Sequence, residues 1–146
     1  HGVFDNRNPL YSHLLLTKTE GDSDYDGLLE AREIMDMKLN ANLAVLSACE
    51  TANGKIAPGE GVIGLSWAFF VAGTQSVVVS QWKVNSSSTS QLMVNFYQQL
   101  DNSHGGSGPT ISRALRMAAV QLMKDDRYSH PFFWAGFISV GIDEIR

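Results

Sequence analysis

Two short, largely apolar runs, LAVLSA (Leu43 to Ala48) and SVVVSQW (Ser76 to Trp82), constrain this chain more than any other feature. A strand with one wet face alternates polar and apolar side chains, whereas an unbroken run buries both faces and must lie between other layers. The stretches around the two runs have helical spacing. LLEAREIMDMKL (Leu28 to Leu39) sets Leu28, Ile34, Met35 and Leu39 among charges. GVIGLSWAFFVAG sets Ile63, Trp67, Phe70 and Val71 on one face, and Gly73 is placed to close that helix in a left-handed cap. NSSSTSQLMVNFYQQL offers Asn85 to Ser88 as caps of a helix burying Leu92, Phe96 and Leu100. TISRALRMAAVQLMK (Thr110 to Lys124) is expected to bury Ile111, Leu115, Ala118, Leu122 and Met123. HLLLTK (His13 to Lys18) and FISVG (Phe137 to Gly141) read as further strands, and GDSDYDG and DNSHGGSGP as loops. Strands and helices alternating over short links imply an α/β fold, with a mostly parallel sheet covered on both faces.

At 146 residues the chain is one domain and can bury a core without metal or disulfide staples. A net charge of −4 supplies no basic surface for phosphates, which argues against a nucleic-acid partner. Arg113, Arg116 and Lys124 read as a solvated helix face. Apolar stretches such as Val62 to Ala72 fall well short of the roughly 20 residues of a membrane span, and the polar opening residues are not a signal peptide. The chain opens without Met, as a piece of a longer protein would.

Cys49 is the only cysteine, and it stands where the LAVLSA run breaks into the polar turn ETANGK. A lone thiol beside histidines points to a reducing compartment and a possible nucleophile. The carboxyl end of a buried parallel strand is where open α/β folds keep working residues. Cysteine is also a common small core residue, so position type alone leaves both readings open. A thiolate needs a base or positive potential nearby. The available bases are His1, followed by Gly2, and His13, His104 and His130. His104 lies in a glycine-rich loop, His130 before Pro131 in an expected turn, and His13 at the start of a strand. GEGVIG before a helix raises the reading of a nucleotide-binding domain, but it is not GxGxxG, and no P-loop lysine motif occurs.

Taken in order, HG at residues 1 and 2, DGLLEAREI, VLSACETANG, GEGVIGLSWAFFVAGTQSVVVSQWKV, ISRALRMA and HPFFWAGFISVG resemble the CHAT domain of the caspase and separase superfamily. The resemblance runs from Gly2 to Gly141. It implies a caspase-like three-layer αβα sandwich, with residues 1–146 forming the C-terminal portion of one such domain and the N-terminal strands missing from this chain. It implies a cysteine endopeptidase, the catalytic part of a larger protein, with a catalytic dyad of His1 and Cys49 and no cofactor or metal. The oxyanion would be held by the backbone N–H groups of Gly2 and Cys49. Trp82, Asn85 and Ser86 are candidate substrate contacts, with Trp82 equally suited to the core. Phe132 and Trp134 read as packing residues, and Glu50 and Glu60 as solvated turn acids. Separase-like members carry an aspartate just after the W-x-V stretch. Here that stretch reads Trp82, Lys83, Val84, Asn85, Ser86 and holds no carboxylate. Expected partners are a protein or peptide substrate and the missing N-terminal part or repeat-containing regions of a cytoplasmic parent, with neither nucleic acid nor membrane. Because chain ends fray unless tied down, His1 is expected to be poorly fixed in this fragment and its activity low. The runner-up reading is an inactive caspase-like interaction module.

Overall fold

The SVVVS run is a strand buried at each of its five positions, and the rest of the fold is arranged around it. A computed structural model of the chain describes residues 2–3, 5, 7–18, 26–47, 60–101 and 109–144, with the side chains of residues 60–64 excepted. In chain order the elements are β1 (Gly2–Val3), a 3-10 turn (Pro9–Tyr11), β2 (His13–Leu15), β3 (Leu28–Glu30), α1 (Ala31–Asp36), β4 (Ala44–Leu46), α2 (Glu60–Val71), β5 (Ser76–Ser80), α3 (Ser86–Asp101), α4 (Ile111–Leu122), two 3-10 turns (Asp126–Tyr128 and Pro131–Phe133) and β6 (Phe137–Gly141). Among the described residues they form a mixed α/β structure with four helices and two three-stranded sheets, ordered β1-β2-β3 and β4-β5-β6.

Side-chain alternation along β5 divides the core. Val77 and Val79 face Ala44, Leu46 and the α2 residues Phe69 and Phe70. Val78 points the other way, into a cluster built by Leu92 and Phe96 of α3 and Ile111, Ala114, Leu115, Ala118 and Leu122 of α4. The sheet therefore has helices on both faces, which explains why its central strand is apolar without interruption. Each fully buried side chain of this kind contributes about 1.5–3 kcal/mol relative to exposure. Leu46 also packs against a third cluster, Ala31, Ile34, Leu65, Ala68 and Ala72, where Leu14 of β2 and Leu29 of β3 join it. That cluster ties the small antiparallel sheet to β4.

Among the described residues the expected mostly parallel sheet is met in one ladder. β4 and β5 are parallel, while β5–β6, β1–β2 and β2–β3 are antiparallel. The number of intervening helices decides this. One helix returns the chain to the starting end, so β5 runs with β4; two antiparallel helices return it twice, so β6 begins where β5 ended, with Ser80 opposite Phe137.

Three expected elements need correction. Leu28–Glu30, read as the first turn of a helix, is instead β3, paired with β2 through Leu14↔Leu29. The helix starts at Ala31, because Glu30 and Glu33 close a reciprocal capping box around its first turn. α2 presents a different face from the one expected. Leu65, Ala68 and Ala72 are buried, while Trp67 is 62% and Val71 48% exposed. Nearly every side of this helix is apolar, so periodicity could not select the inner one. Met123, expected in the core, is exposed one position past the end of α4. The expected caps hold: Gly73 follows α2 with φ +101°, and Asn85 Oδ1 accepts from the backbone N–H groups of Ser87 and Ser88, both at 3.1 Å.

Candidate functional site

Parallel pairing brings two segments to one edge of the sheet. In register, Leu46 lies opposite Val79, so the chain leaving β4 toward Cys49 and the chain leaving β5 toward Trp82 depart from the same end. Antiparallel β6 starts at that end too, and the Gln81 N–H donates to the Gly136 carbonyl at 2.7 Å. The SQWKV and HPFFWAGF stretches thus meet at the carboxyl edge of the parallel pair, where the chain leaving β4 also departs, the place where α/β sheets expose residues for chemistry.

Trp82 is half-buried there. Its Nε1 donates to the Phe132 carbonyl at 3.3 Å. Gly136 lies so close that a Cβ on it would stand 2.8 Å from Val84 Cγ1 and 3.3 Å from Cε2 and Nε1 of Trp82. Trp82 is thereby packed against the HPFFWAGF segment. Asn85, a candidate substrate contact, spends its carbonyl oxygen on the start of α3; Ser86 is the first residue of that helix and is exposed. Among Gln81–Ser86 there is no carboxylate.

Of the packing aromatics, Trp134 is half-buried against the α3–α4 cluster and donates Nε1–H to the Ser129 carbonyl at 3.2 Å. Phe132 is exposed and meets Phe133 edge-on at 5.5 Å. Gly136 is the contributor that motif reading missed, and its signal was a glycine directly preceding a strand inside an aromatic stretch.

Gly2 belongs to the other sheet. It is buried and pairs with Leu14, which shares its core cluster with Leu46. The chain beyond it is fixed by a turn in which the Asp5 carboxylate accepts from the backbone N–H groups of Asn8 and Arg7, at 2.9 and 2.7 Å. Those two bonds hold the Asp5 carboxyl below its ordinary value. The Asp5 N–H donates to the buried Ser12 hydroxyl at 3.1 Å. His1, Cys49, Glu50 and His104 lie outside the described residues, as does the Glu60 side chain. The other two histidines are held locally: His13 Nδ1 lies 2.9 Å from the Tyr11 carbonyl, and His130 Nδ1 accepts from the Phe132 N–H at 3.1 Å, capping the turn expected before Pro131. Among the described residues no group of three His, Cys, Asp or Glu is placed to hold a metal, and no helix is long and apolar enough to cross a membrane.

The class defined by this arrangement is a mixed α/β domain in which the SQWKV and HPFFWAGF segments meet at the carboxyl edge of a parallel strand pair. The chain belongs to the CHAT domain family, whose model matches residues 1–142, and that family sits in the caspase-like clan. Among curated proteins it is similar to Tetratricopeptide repeat protein 28 of Homo sapiens, 36% identical over 116 residues, and to that of Mus musculus, 34% identical over 116 residues. In both cases the match covers 80% of this chain, which spans only 4% of the relative's length.

Proposed function

We propose that this chain is the C-terminal, catalytic portion of a caspase-like αβα domain that hydrolyses peptide bonds through a dyad of His1 and Cys49. The observation that carries the reading is the parallel β4–β5 ladder, whose carboxyl edge is where the segment bearing Cys49 departs. In this mechanism the Cys49 thiolate attacks the peptide carbonyl carbon, and the backbone N–H groups of Gly2 and Cys49 receive the oxyanion. The C–N bond then breaks as His1 protonates the leaving amine, and water releases the acyl group from sulfur. Loss of one oxyanion donor typically costs about 2.7–4 kcal/mol in the transition state. Gly2 suits that role, having no Cβ to keep substrate from its backbone. The reaction uses no cofactor. Trp82 and Ser86 stand at the edge where an extended peptide would lie. The setting is the cytoplasm, in a parent bearing tetratricopeptide repeats like the relatives, with a protein or peptide as substrate.

Use of the Asn85 carbonyl as a helix cap, with no carboxylate beside it, favours a second reading: a caspase-like module kept for protein interaction. Thiol reactivity separates the two. Iodoacetamide labelling of Cys49 is followed by peptide mass, in a polypeptide extending upstream of His1 so that the imidazole is held on both sides. Fast labelling near neutral pH that falls to an ordinary thiol's rate in His1→Ala supports the dyad. An ordinary rate, unchanged by that substitution, leaves the interaction module.

A further inference from the structure

The outward face of α4 is exposed, as its three cations suggest, but it is not wholly polar. At 100° per residue, Arg113, Arg116, Met117, Val120, Met123 and Lys124 fall within an arc of about one third of the helix circumference. They lie opposite the buried Ile111, Ala114, Leu115, Ala118 and Leu122. All six are exposed, including the apolar Met117 at 41%, Val120 at 47% and Met123 at 42%. The Lys124 ammonium reaches its neighbour Gln121 Oε1 at 3.2 Å. The two arginines pair with no carboxylate among the described residues. Residues 111–124 contain no acid, although the chain as a whole carries a net charge of −4.

We infer that this face is a docking seam for an acidic amphipathic helix of another polypeptide. Its residues recur at the i, i+3, i+4, i+7 spacing that one helix presents to another. Val120 is central, and Met117 and Met123 beside it have side chains that adapt to a partner's contours. Arg113 and Arg116 toward one end and Lys124 at the other are placed to hold carboxylates flanking the partner's apolar stripe. A second copy does not fit, because a two-fold contact would set this cationic face against itself. An anionic membrane does not fit either. The cations are interleaved with the apolar groups, so no separate apolar stripe is available to enter the acyl region.

The test uses the 146-residue chain and a fluorescein-labelled synthetic helical peptide with leucines along one stripe and glutamates flanking it, beside a twin with lysine for every glutamate. The acidic peptide is expected to bind saturably and the lysine twin not. Affinity should fall roughly tenfold between about 50 and about 300 mM salt. Arg113→Glu combined with Arg116→Glu should lower acidic-peptide affinity by roughly tenfold or more, and raise that of the twin, with an unchanged melting temperature. Val120→Asp should weaken binding of the acidic peptide without affecting folding. The inference is overturned by equal affinity for the two peptides, or by no effect of charge reversal. A mass that doubles with concentration through this face, or capture by phosphatidylserine vesicles without peptide binding, overturns it in favour of a second copy or a membrane.

Discussion

Replacing Gly136 by alanine tests whether the SQWKV and HPFFWAGF segments are one packed unit. The added Cβ would lie 2.8 Å from Val84 Cγ1, roughly 0.7 Å inside the ~3.5 Å at which carbon pairs stop repelling. Neither neighbour yields easily. Val84 is β-branched and stiff at χ1, and Trp82 cannot swing away without lengthening its 3.3 Å bond to the Phe132 carbonyl. Overpacking of this kind costs about 1–3 kcal/mol. For a domain of this size that is a fall of about 3–10 °C in melting temperature. Val84→Ala removes the closest atom and should by itself cost about 1 kcal/mol, since Val84 is only half-buried. The double variant should therefore be more stable than the sum of the two losses predicts, with a coupling of about 1 kcal/mol. Urea unfolding of the four proteins measures the cycle. A Gly136→Ala protein as stable as its parent, or strictly additive losses, would refute the packing described here.

Gly73→Ala forces a side chain onto a residue at φ +101°, with a Cβ 2.6 Å from the Leu39 carbonyl oxygen. A loss of about 2 kcal/mol is expected, and no loss in urea unfolding would mean the turn after α2 is formed otherwise. Phe96→Ala empties a fully buried site between α3 and β5 and should cost about 3–5 kcal/mol by the same measurement. Asp143→Asn probes the start of α4, where the carboxylate accepts from the Ser112 backbone N–H at 2.6 Å and from the Ser112 hydroxyl at 2.5 Å. Burial by itself would raise the Asp143 carboxyl, but hydrogen bonds from Ser112 and Thr110 together outweigh it and hold the group below its ordinary value. A carboxyl depressed on folding contributes stability that is complete above its unfolded pKa of about 3.9 and is lost as pH falls through the lower folded value. Thermal melts of parent and Asp143→Asn should thus differ by a few tenths to about 1 kcal/mol near neutral pH and draw together as pH falls below about 4. A gap that persists in acid would contradict the assignment.

Legibility in this chain followed the strength of each local signal. β5 and β6 were readable because apolar β-branched runs bounded by turn residues have few alternative uses. α3 and α4 were readable because each carries one apolar stripe and a polar cap, Asn85 or Thr110. α2 was readable as a helix but not as an oriented one, since a residue such as Trp67 satisfies the pattern equally well facing inward or outward. The short β3 was hidden because Leu28 and Leu29 fit a helical stripe as well as a strand. What placed them were their ladder partners Leu15 and Leu14, thirteen and fifteen residues earlier in the chain. Met123 was drawn into the expected core for a similar reason: it extends an apolar pattern one step beyond the turn where the helix stops meeting its neighbours.

The candidate site separates along the same line. Its edge was legible in part, because a cysteine after a buried run already implies a strand's carboxyl end. That β4 and β5 are parallel accords with α2, the helix described between them, so the chain leaves both strands at the same end, toward SACETANG from β4 and toward WKV from β5. The approach of HPFFWAGF to the same edge needed the pair of helices α3 and α4 to be counted as two reversals of direction, a property of topology and not of any motif. Gly2 is the remaining case. It stands on a different sheet from β4, and the two are joined through side chains of Leu14 and Leu46 in a shared cluster. Among the described residues no ladder connects the two sheets. The described residues thus join the two sheets by apolar packing in that cluster, and substitutions at Ile34 or Leu65, which lie in neither the HG nor the SACETANG stretch, should loosen the coupling between the sheets.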